Sequence, residues 1–183
     1  MYMRNRMIFK GFFIFIVFLT IFSCEKKEDV IVEGMSPVYV SPTDFSVIRT
    51  ESPRNFDKLG DIVNVGDYIF IVEKNKGIHV IDNTDPETPY KLYFWNIPGC
   101  TQFTIEKDIL YADNSFHLLV IDISNYSKIK VVNYVKDIYE DENLFEVRPP
   151  DNYKGFFICV SKKKGILTGW ELKLLKNPQC ETY

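Results

Sequence analysis

From Val38 onward the apolar positions follow the two-residue period of β-strands rather than the 3.6-residue period of helices. Val38 and Val40 alternate with Tyr39 and Ser41, and Pro37, Pro42 and Pro53 disfavour helix in this part of the chain. Two apolar runs follow, Tyr68-Ile69-Phe70-Ile71-Val72 and Gly77-Ile78-His79-Val80-Ile81-Asp82. The polar stretch Glu73-Lys74-Asn75-Lys76, closed by Gly77, predicts a hairpin between them. The pattern returns about 40 residues later. Ile109-Leu110-Tyr111-Ala112-Asp113 stands in the place of Ile69-Phe70-Ile71-Val72-Glu73. Leu118-Leu119-Val120-Ile121-Asp122 stands in the place of Ile78 to Asp82, with Val-Ile-Asp identical. A strand-rich period of about 40 residues is the mark of a propeller blade or a similar array. A third, degraded copy is expected from Phe156-Phe157-Ile158-Cys159-Val160, with Gly165-Ile166-Leu167 echoing Gly77-Ile78-His79 and Trp170 where the aspartate should be.

Each clear copy ends in an aspartate followed by turn residues, Asn83-Thr84-Asp85-Pro86 after Asp82 and Ile123-Ser124-Asn125-Tyr126 after Asp122. A short carboxylate there accepts backbone N–H groups that the sheet leaves unpaired. Asp82 and Asp122 are therefore read as turn residues, one for each repeat, rather than as a catalytic pair or metal ligands.

The N-terminus carries a different signal. Arg4, Arg6 and Lys10 precede an apolar run from Phe12 to Phe22 broken only by Thr20. Roughly 11 apolar residues are too few for a bilayer core that needs about 20, but a basic segment before a short apolar one is the form of a secretory signal. The run ends in Ser23-Cys24, which resembles a bacterial lipobox. That resemblance implies cleavage before Cys24, acylation of its thiol, and a mature chain of 183 − 23 = 160 residues. Charged residues Glu25 to Asp29 then read as a tether, and Lys27-Glu28-Asp29 resembles a surface-export signal of Bacteroidetes lipoproteins. The expected organisation is a signal peptide over 1–23, an acylated flexible tether over 24–36, a β-repeat domain over 37–175 and a C-terminal tail over 176–183.

Composition narrows the field further. With 22 basic and 25 acidic residues the net charge is −3, which lacks the basic excess of a nucleic-acid binder. A content of 46% hydrophobic and 15% aromatic residues argues against disorder. Cys100, Cys159 and Cys180 make an odd set without CxxC spacing, so zinc and dithiol chemistry are disfavoured. An exported protein tolerates a disulfide, but the spacing assigns none. Cys100 and Cys159 are read as buried thiols acting as small hydrophobes.

Several of these stretches together resemble the LVIVD-repeat β-propeller lipoproteins of Bacteroidetes. They are Gly77 to Asn83, Pro86 and Pro89, Ile97-Pro98-Gly99, Leu110-Tyr111-Ala112-Asp113, Leu118 to Ser124, and Gly169-Trp170-Glu171. The resemblance covers roughly Pro37 to Glu171. It implies an all-β fold, an incomplete propeller-like array of two to three small antiparallel sheets. It also implies an anchored or surface protein with no established catalytic activity. Gly77, Asp82, Pro86, Pro98, Gly99, Asp113 and Asp122 would be its structural turn and repeat positions. The chain departs from the pattern at Cys100-Thr101-Gln102 and at His117, where relatives carry carboxylates, and it has fewer blades than they do. Propellers close with 4–8 blades. An array shorter than that leaves strand edges open, so either the chain associates with itself or with a partner through those edges, or it is a shortened derivative of marginal stability.

Catalytic signatures are missing: there is no GxSxG, HExxH, P-loop or GxGxxG pattern. Only His79 and His117 are present, with His79 inside a strand and His117 expected at an exposed hairpin. The acidic stretch Asp137 to Glu142 lacks the glycine of a calcium loop and reads as a solvated loop. Lys162-Lys163-Lys164 reads as a basic hairpin tip, and Tyr90, Tyr93, Phe94 and Trp95 as core between sheets. The expectation is a lipid-anchored, non-enzymatic module at the bacterial outer membrane or cell surface, without cofactor or bound metal, whose partner is a protein or a saccharide. Two rivals stand beside it. One is a cation-assisted hydrolase built on Asp113, Asp122 and the acidic loop. The other is a truncated propeller relic with no specific ligand.

Overall fold

The computed structural model describes residues 28–136 and 153–182. The expected signal peptide, Cys24, most of the charged tether and the acidic stretch Asp137 to Glu142 lie outside the described residues. The strands run in the order β1 (Ile31–Val40), β2 (Arg49–Glu51), β3 (Leu59–Val65), β4 (Tyr68–Glu73), β5 (Gly77–Asp82), β6 (Tyr90–Asn96) and β7 (Phe103–Glu106). They continue with β8 (Ile109–Asn114), β9 (His117–Asp122), β10 (Lys130–Val135), β11 (Gly155–Phe157), β12 (Ile166–Lys176) and β13 (Cys180–Thr182). They form three small sheets, none of them closed, in the orders β2-β6-β5-β4-β3, β10-β9-β8-β7 and β12-β1-β11-β13. The architecture is an all-β, incomplete propeller-like array. One short helix, α1 (Pro42–Phe45), interrupts it where proline was expected to oppose helix. Ser41 caps it by accepting the Asp44 N–H at 3.0 Å, and proline is tolerated in a first turn whose N–H groups have no helical partner.

The two repeats are the first two sheets, but their equivalence is not uniform. Strand β4 precedes β8 by 109 − 68 = 41 residues, whereas β5 precedes β9 by 117 − 77 = 40. The first hairpin loop spans three residues, 74–76, and the second two, 115–116. Asp82 pairs with Tyr68 and Asp122 with Ile109, so Tyr68, not Ile69, corresponds to Ile109. One residue is a whole register step in a strand and exchanges the two faces. Phe70 thus corresponds to Tyr111, and Ile69 to Leu110.

This shift explains how the sheets stack. In the first repeat Phe70, Val72, Ile78, Val80 and Trp95 share one face and are fully buried. They join one core with Leu110, Ala112, Leu119 and Ile121 of the second repeat, the opposite face in repeat terms. Each such side chain contributes roughly 1.5–3 kcal/mol on leaving water. Tyr126 of the β9–β10 loop sets its ring edge-on to Tyr68, Phe70 and Trp95 at 4.9, 5.6 and 5.7 Å. Its carbonyl accepts the Trp95 Nε1–H at 3.0 Å and the Thr50 hydroxyl at 3.1 Å, which gives the buried indole its polar partner.

The third sheet departs from the expected third copy. Phe156-Phe157 lie in β11 and Ile166-Leu167 in β12, and these strands are not neighbours, because β1 runs between them. β1 pairs antiparallel with β12 from Ile31 to Val40 and parallel with β11 at Met35. Residues 31–36, expected within the tether, are therefore strand. Ile31 and Val32 begin a pairing along the whole length of β1, and Gly34 lies so close to the Phe156 carbonyl that a side chain there would collide. Cys180–Thr182, expected as tail, pairs with β11 and is tied by a Cys159–Cys180 disulfide. The reading of Cys159 as a free thiol is thus corrected. β11 and β13 bring the two Cα atoms to 5.5 Å, inside bonding range, although 21 residues separate them. In the chain-entropy account, closing a loop of that length contributes about 3 kcal/mol. Replacing both cysteines with serine should lower unfolding stability by about that amount. Urea titration checks this; equal midpoints for the two proteins would contradict it.

Candidate functional site

The polar residues that the repeats supply fall into three groups. The first closes the turns after β5 and β9. Asp82 Oδ1 accepts the Thr84 N–H at 2.9 Å, and Asp122 Oδ1 accepts the Ser124 N–H at 2.9 Å. Tyr90 donates its hydroxyl to Asp82 Oδ2 at 3.0 Å. The backbone N–H of Thr84 above all holds the Asp82 carboxyl below its ordinary range, and the Ser124 side chain, followed by its backbone N–H, does the same for Asp122. Three residues on, Asp85 Oδ1 accepts from the Glu87 N–H at 3.0 Å, and Asn125 Oδ1 from the Ser127 N–H at 3.0 Å. Pro86 occupies the second position of the Asp85–Thr88 turn, where its fixed φ suits the bend.

The second group ties one repeat to the next. Ile97-Pro98-Gly99-Cys100 is a turn in which Cys100 N–H reaches the Ile97 carbonyl at 3.1 Å, with Gly99 at φ +77°. Asn75 of the first hairpin donates to the Cys100 carbonyl at 2.7 Å and accepts from Gly99 N–H at 2.8 Å. From the second hairpin, Ser115 N–H reaches the Gly99 carbonyl at 3.1 Å, and Asn114 Nδ2 the Pro98 carbonyl at 2.5 Å. Asp113 then accepts from Thr101 N–H at 2.7 Å, the Thr101 hydroxyl at 2.5 Å and Gln102 N–H at 2.9 Å. Cys100 is fully buried beside this carboxylate; burial first, and Asp113 second, push its thiol well above the usual value. Such a thiol is inert as a nucleophile.

Sequence reasoning missed the third group. The face of the first repeat turned away from the core carries Ile69, Ile71, His79, Ile81 and Phe94, with Glu73 at its end. The segment between β2 and β3 covers it. Arg54 lays its guanidinium over the Phe94 ring at 3.3 Å, Phe56 meets His79 edge-on at 4.8 Å, and Lys91 lies 4.9 Å over Phe56. Beneath them Glu73 faces His79 Nε2 at 2.6 Å and Lys76 Nζ at 2.8 Å, with Arg54 Nη2 at 3.9 Å. Glu73 is 1% exposed and His79 is wholly buried. Burial pushes the Glu73 carboxyl upward, but the Lys76 and His79 bonds and the nearby Arg54 outweigh it and hold the group below its ordinary value. Burial outweighs the Glu73 bond at His79 and pulls its pKa down. His79 is therefore neutral near pH 7, with its proton on Nε2 facing the carboxylate, while Nδ1 has no hydrogen-bond partner among the described residues. By register His79 corresponds to Leu119, and Glu73 to Asn114. The clue in the sequence was a charged residue at the start of the hairpin loop and a histidine where the other repeat has leucine.

His117 is also buried, at 8% exposure, rather than exposed at its hairpin. Phe45, Phe116 and Tyr134 surround its ring. Asp113 pairs with Leu118 and Asp122 with Ile109, so the two aspartates stand at opposite ends of one hairpin and do not converge. Phe94 and Trp95 are buried on opposite faces of β6, Tyr93 is partly buried, and Tyr90 lies exposed at the strand's start. Among the described residues no cluster of three or more metal-ligating side chains occurs.

The repeating hairpins, each closed by Val-Ile-Asp and an Asx-type turn, decide the comparison with known families. Both segments match the LVIVD repeat. The matches cover residues 58–90 and 110–137, which are the β3–β5 and β8–β10 regions with their turns. No curated protein and no solved structure matches the chain. Within LVIVD terms, the Arg54–Phe56 segment blocks the outer face of the first repeat, as an atypical terminal unit does in a stacked array.

The acid response of this cap is predictable. His79 has a lowered pKa when folded, so the unfolded chain takes up the proton first. Stability is then lost as pH falls from the ordinary histidine value of 6.5 toward the folded one. His79→Leu, which copies the second repeat, should remove the loss between about pH 7 and pH 5. Urea midpoints at those two pH values test it, and an unchanged slope in the variant would refute it.

Proposed function

We propose that this chain is a lipid-anchored protein of the bacterial outer membrane, acylated at Cys24 and displayed at the cell surface in the manner of Bacteroidetes lipoproteins. Its LVIVD repeats serve a binding or structural role without catalysis. One observation carries the reading of the repeats: the polar groups they supply are committed inside the fold. Asp82 and Asp122 close their own turns, Asp113 holds the 101–102 turn, and Glu73 and His79 face each other under Arg54 and Phe56. Exposed apolar side chains stand instead on outer strands among other places, with Ile62 of β3 64% and Val132 of β10 49% exposed. Open edges and apolar faces of this kind suit a protein or saccharide partner, or a second copy, better than a small substrate. The basic, apolar and Ser23-Cys24 segments support the anchor.

Two measurements test the proposal. Cells expressing the full chain and its Cys24→Ser variant are labelled with radioactive palmitate; label in the first and not the second is expected, and label in neither would sink the anchor. Cross-linking in native membranes followed by mass spectrometry should return a constant protein partner, a glycan or the chain itself. Turnover of a soluble substrate by the purified protein would overturn the non-catalytic reading.

A further inference from the structure

The third sheet has one face whose chemistry neither the repeats nor their turns explain. Ile31 pairs with Lys176, Glu33 with Leu174, Met35 with Leu172 and Pro37 with Trp170, and directly paired residues of antiparallel strands point to the same side. Ile31 is 63% exposed, Leu172 54% and Leu174 76%. The opposite face buries Leu175, 5% exposed, against Gly34 at one end, while Lys173 and Glu171 farther along form an ion pair at 2.6 Å. A solvated sheet face normally alternates polar residues outward. Here the outward positions include three exposed aliphatic side chains, Ile31, Leu172 and Leu174, with Glu33 and Lys176 beside them and Met35, Pro37 and Trp170 partly buried farther along. Trp170 is half-buried with its ring edge to Phe157 at 5.7 Å. Among the described residues no strand lies beyond β12 on that side.

We infer that this strip rests on the lipid surface to which the chain is anchored. The inference rests on the proposed acylation of Cys24 and adds to it the orientation of the β-domain. The argument is the position of the strip along the chain. Ile31 is the first residue of β1 and follows Cys24 by seven residues, 31 − 24. Seven residues reach at most about 25 Å even when fully extended. An acylated Cys24 therefore keeps the Ile31 end of this strip within that reach of the bilayer. Leucine and isoleucine gain from entering the interface, and tryptophan favours the headgroup level.

Brominated phospholipids quench tryptophan that touches the acyl region, and this chain has two tryptophans. Trp95 is fully buried in the core and serves as the unquenched reference. The full acylated chain, placed in phosphatidylethanolamine–phosphatidylcholine vesicles with and without bromine, should lose about half of its emission, and Trp170→Phe should abolish the loss. Leu172→Ser with Leu174→Ser, both exposed and outside the core, should cut the quenching at least threefold while palmitate incorporation stays unchanged. Equal emission in the two lipids, or undiminished quenching in the double variant, would overturn the inference, as would protection of the strip by a second copy in a detergent-free dimer. If label fails to enter Cys24, the anchor falls and this inference falls with it. If label enters and quenching is absent, only the orientation is wrong.

Discussion

Gly77→Ala should cost the protein about 3–5 kcal/mol, a large share of the roughly 5–15 kcal/mol that keeps a typical domain folded. Gly77 opens β5 at φ +148°, a conformation that side chains rarely adopt. Space forbids the change independently: an added Cβ would collide with the Trp95 carbonyl oxygen and stand 2.9 Å from the Ile97 nitrogen. Both are backbone atoms of a neighbouring paired strand and its exit, and β5 pairs with β6 from Gly77 through Asp82. Neither can move without breaking the Ile97 N–H bond to the Lys76 carbonyl at 3.0 Å. Gly66 supplies the control. It too has positive φ, at +58°, but an added Cβ there meets nothing within 4 Å. Gly66→Ala should cost only the strain of the left-handed conformation, about 1–2 kcal/mol. Chemical denaturation of both variants separates the two effects; similar losses would mean that the contact with Trp95 is not what demands glycine at 77.

What could be read in the sequence and what could not divides along the range of the forces involved. The hairpins, the Val-Ile-Asp strand ends and the turns after them depend on residues a few positions apart, so alternation and turn chemistry expose them. The two LVIVD matches fall on those same segments. Which face of each hairpin enters the core was not legible, because it hangs on one extra residue in the 74–76 loop that apolar spacing absorbs without trace. The third sheet was misread because its strands come from both ends of the described chain. β1 separates two segments whose local text imitates a hairpin, and the Cys159–Cys180 bond depends on the pairing of β11 with β13. The charged cap was invisible for the same reason. Arg54 and Phe94 are forty residues apart, 94 − 54, and nothing in either neighbourhood announces the other. His79 shows the cost of reading a strand residue alone: it faces away from Ile78 and Val80 as strand alternation requires, but only the cap makes that face a second interior.

Glu73→Ala should be the second most damaging change, with a loss of about 3 kcal/mol. The carboxylate is buried at the end of the capped face, and Lys76, His79 and Arg54 all turn toward it. Removing it leaves the His79 Nε2–H, a wholly buried donor, without an acceptor. It also leaves two cations beside one another over an apolar sheet face, with Asp57 as the remaining partner of Lys76 at 2.8 Å. Glu73→Gln keeps an oxygen for the histidine and loses the charge, so its loss should be smaller, about 1–2 kcal/mol. The pH dependence distinguishes charge from packing. Because Glu73 titrates below its ordinary 4.5 when folded, its contribution is present above that value. It is lost as pH falls from there toward the folded pKa, where the native carboxylate takes up its proton. The wild-type protein should therefore lose stability relative to Glu73→Gln over that acid window and converge on it below. Urea midpoints followed from neutral pH into that range measure the gap. A constant gap would show that the carboxylate acts by shape alone. A closing gap would identify a charged latch: it binds the Arg54–Asp57 segment to the outer face of the first repeat, and so sets where the array of sheets ends.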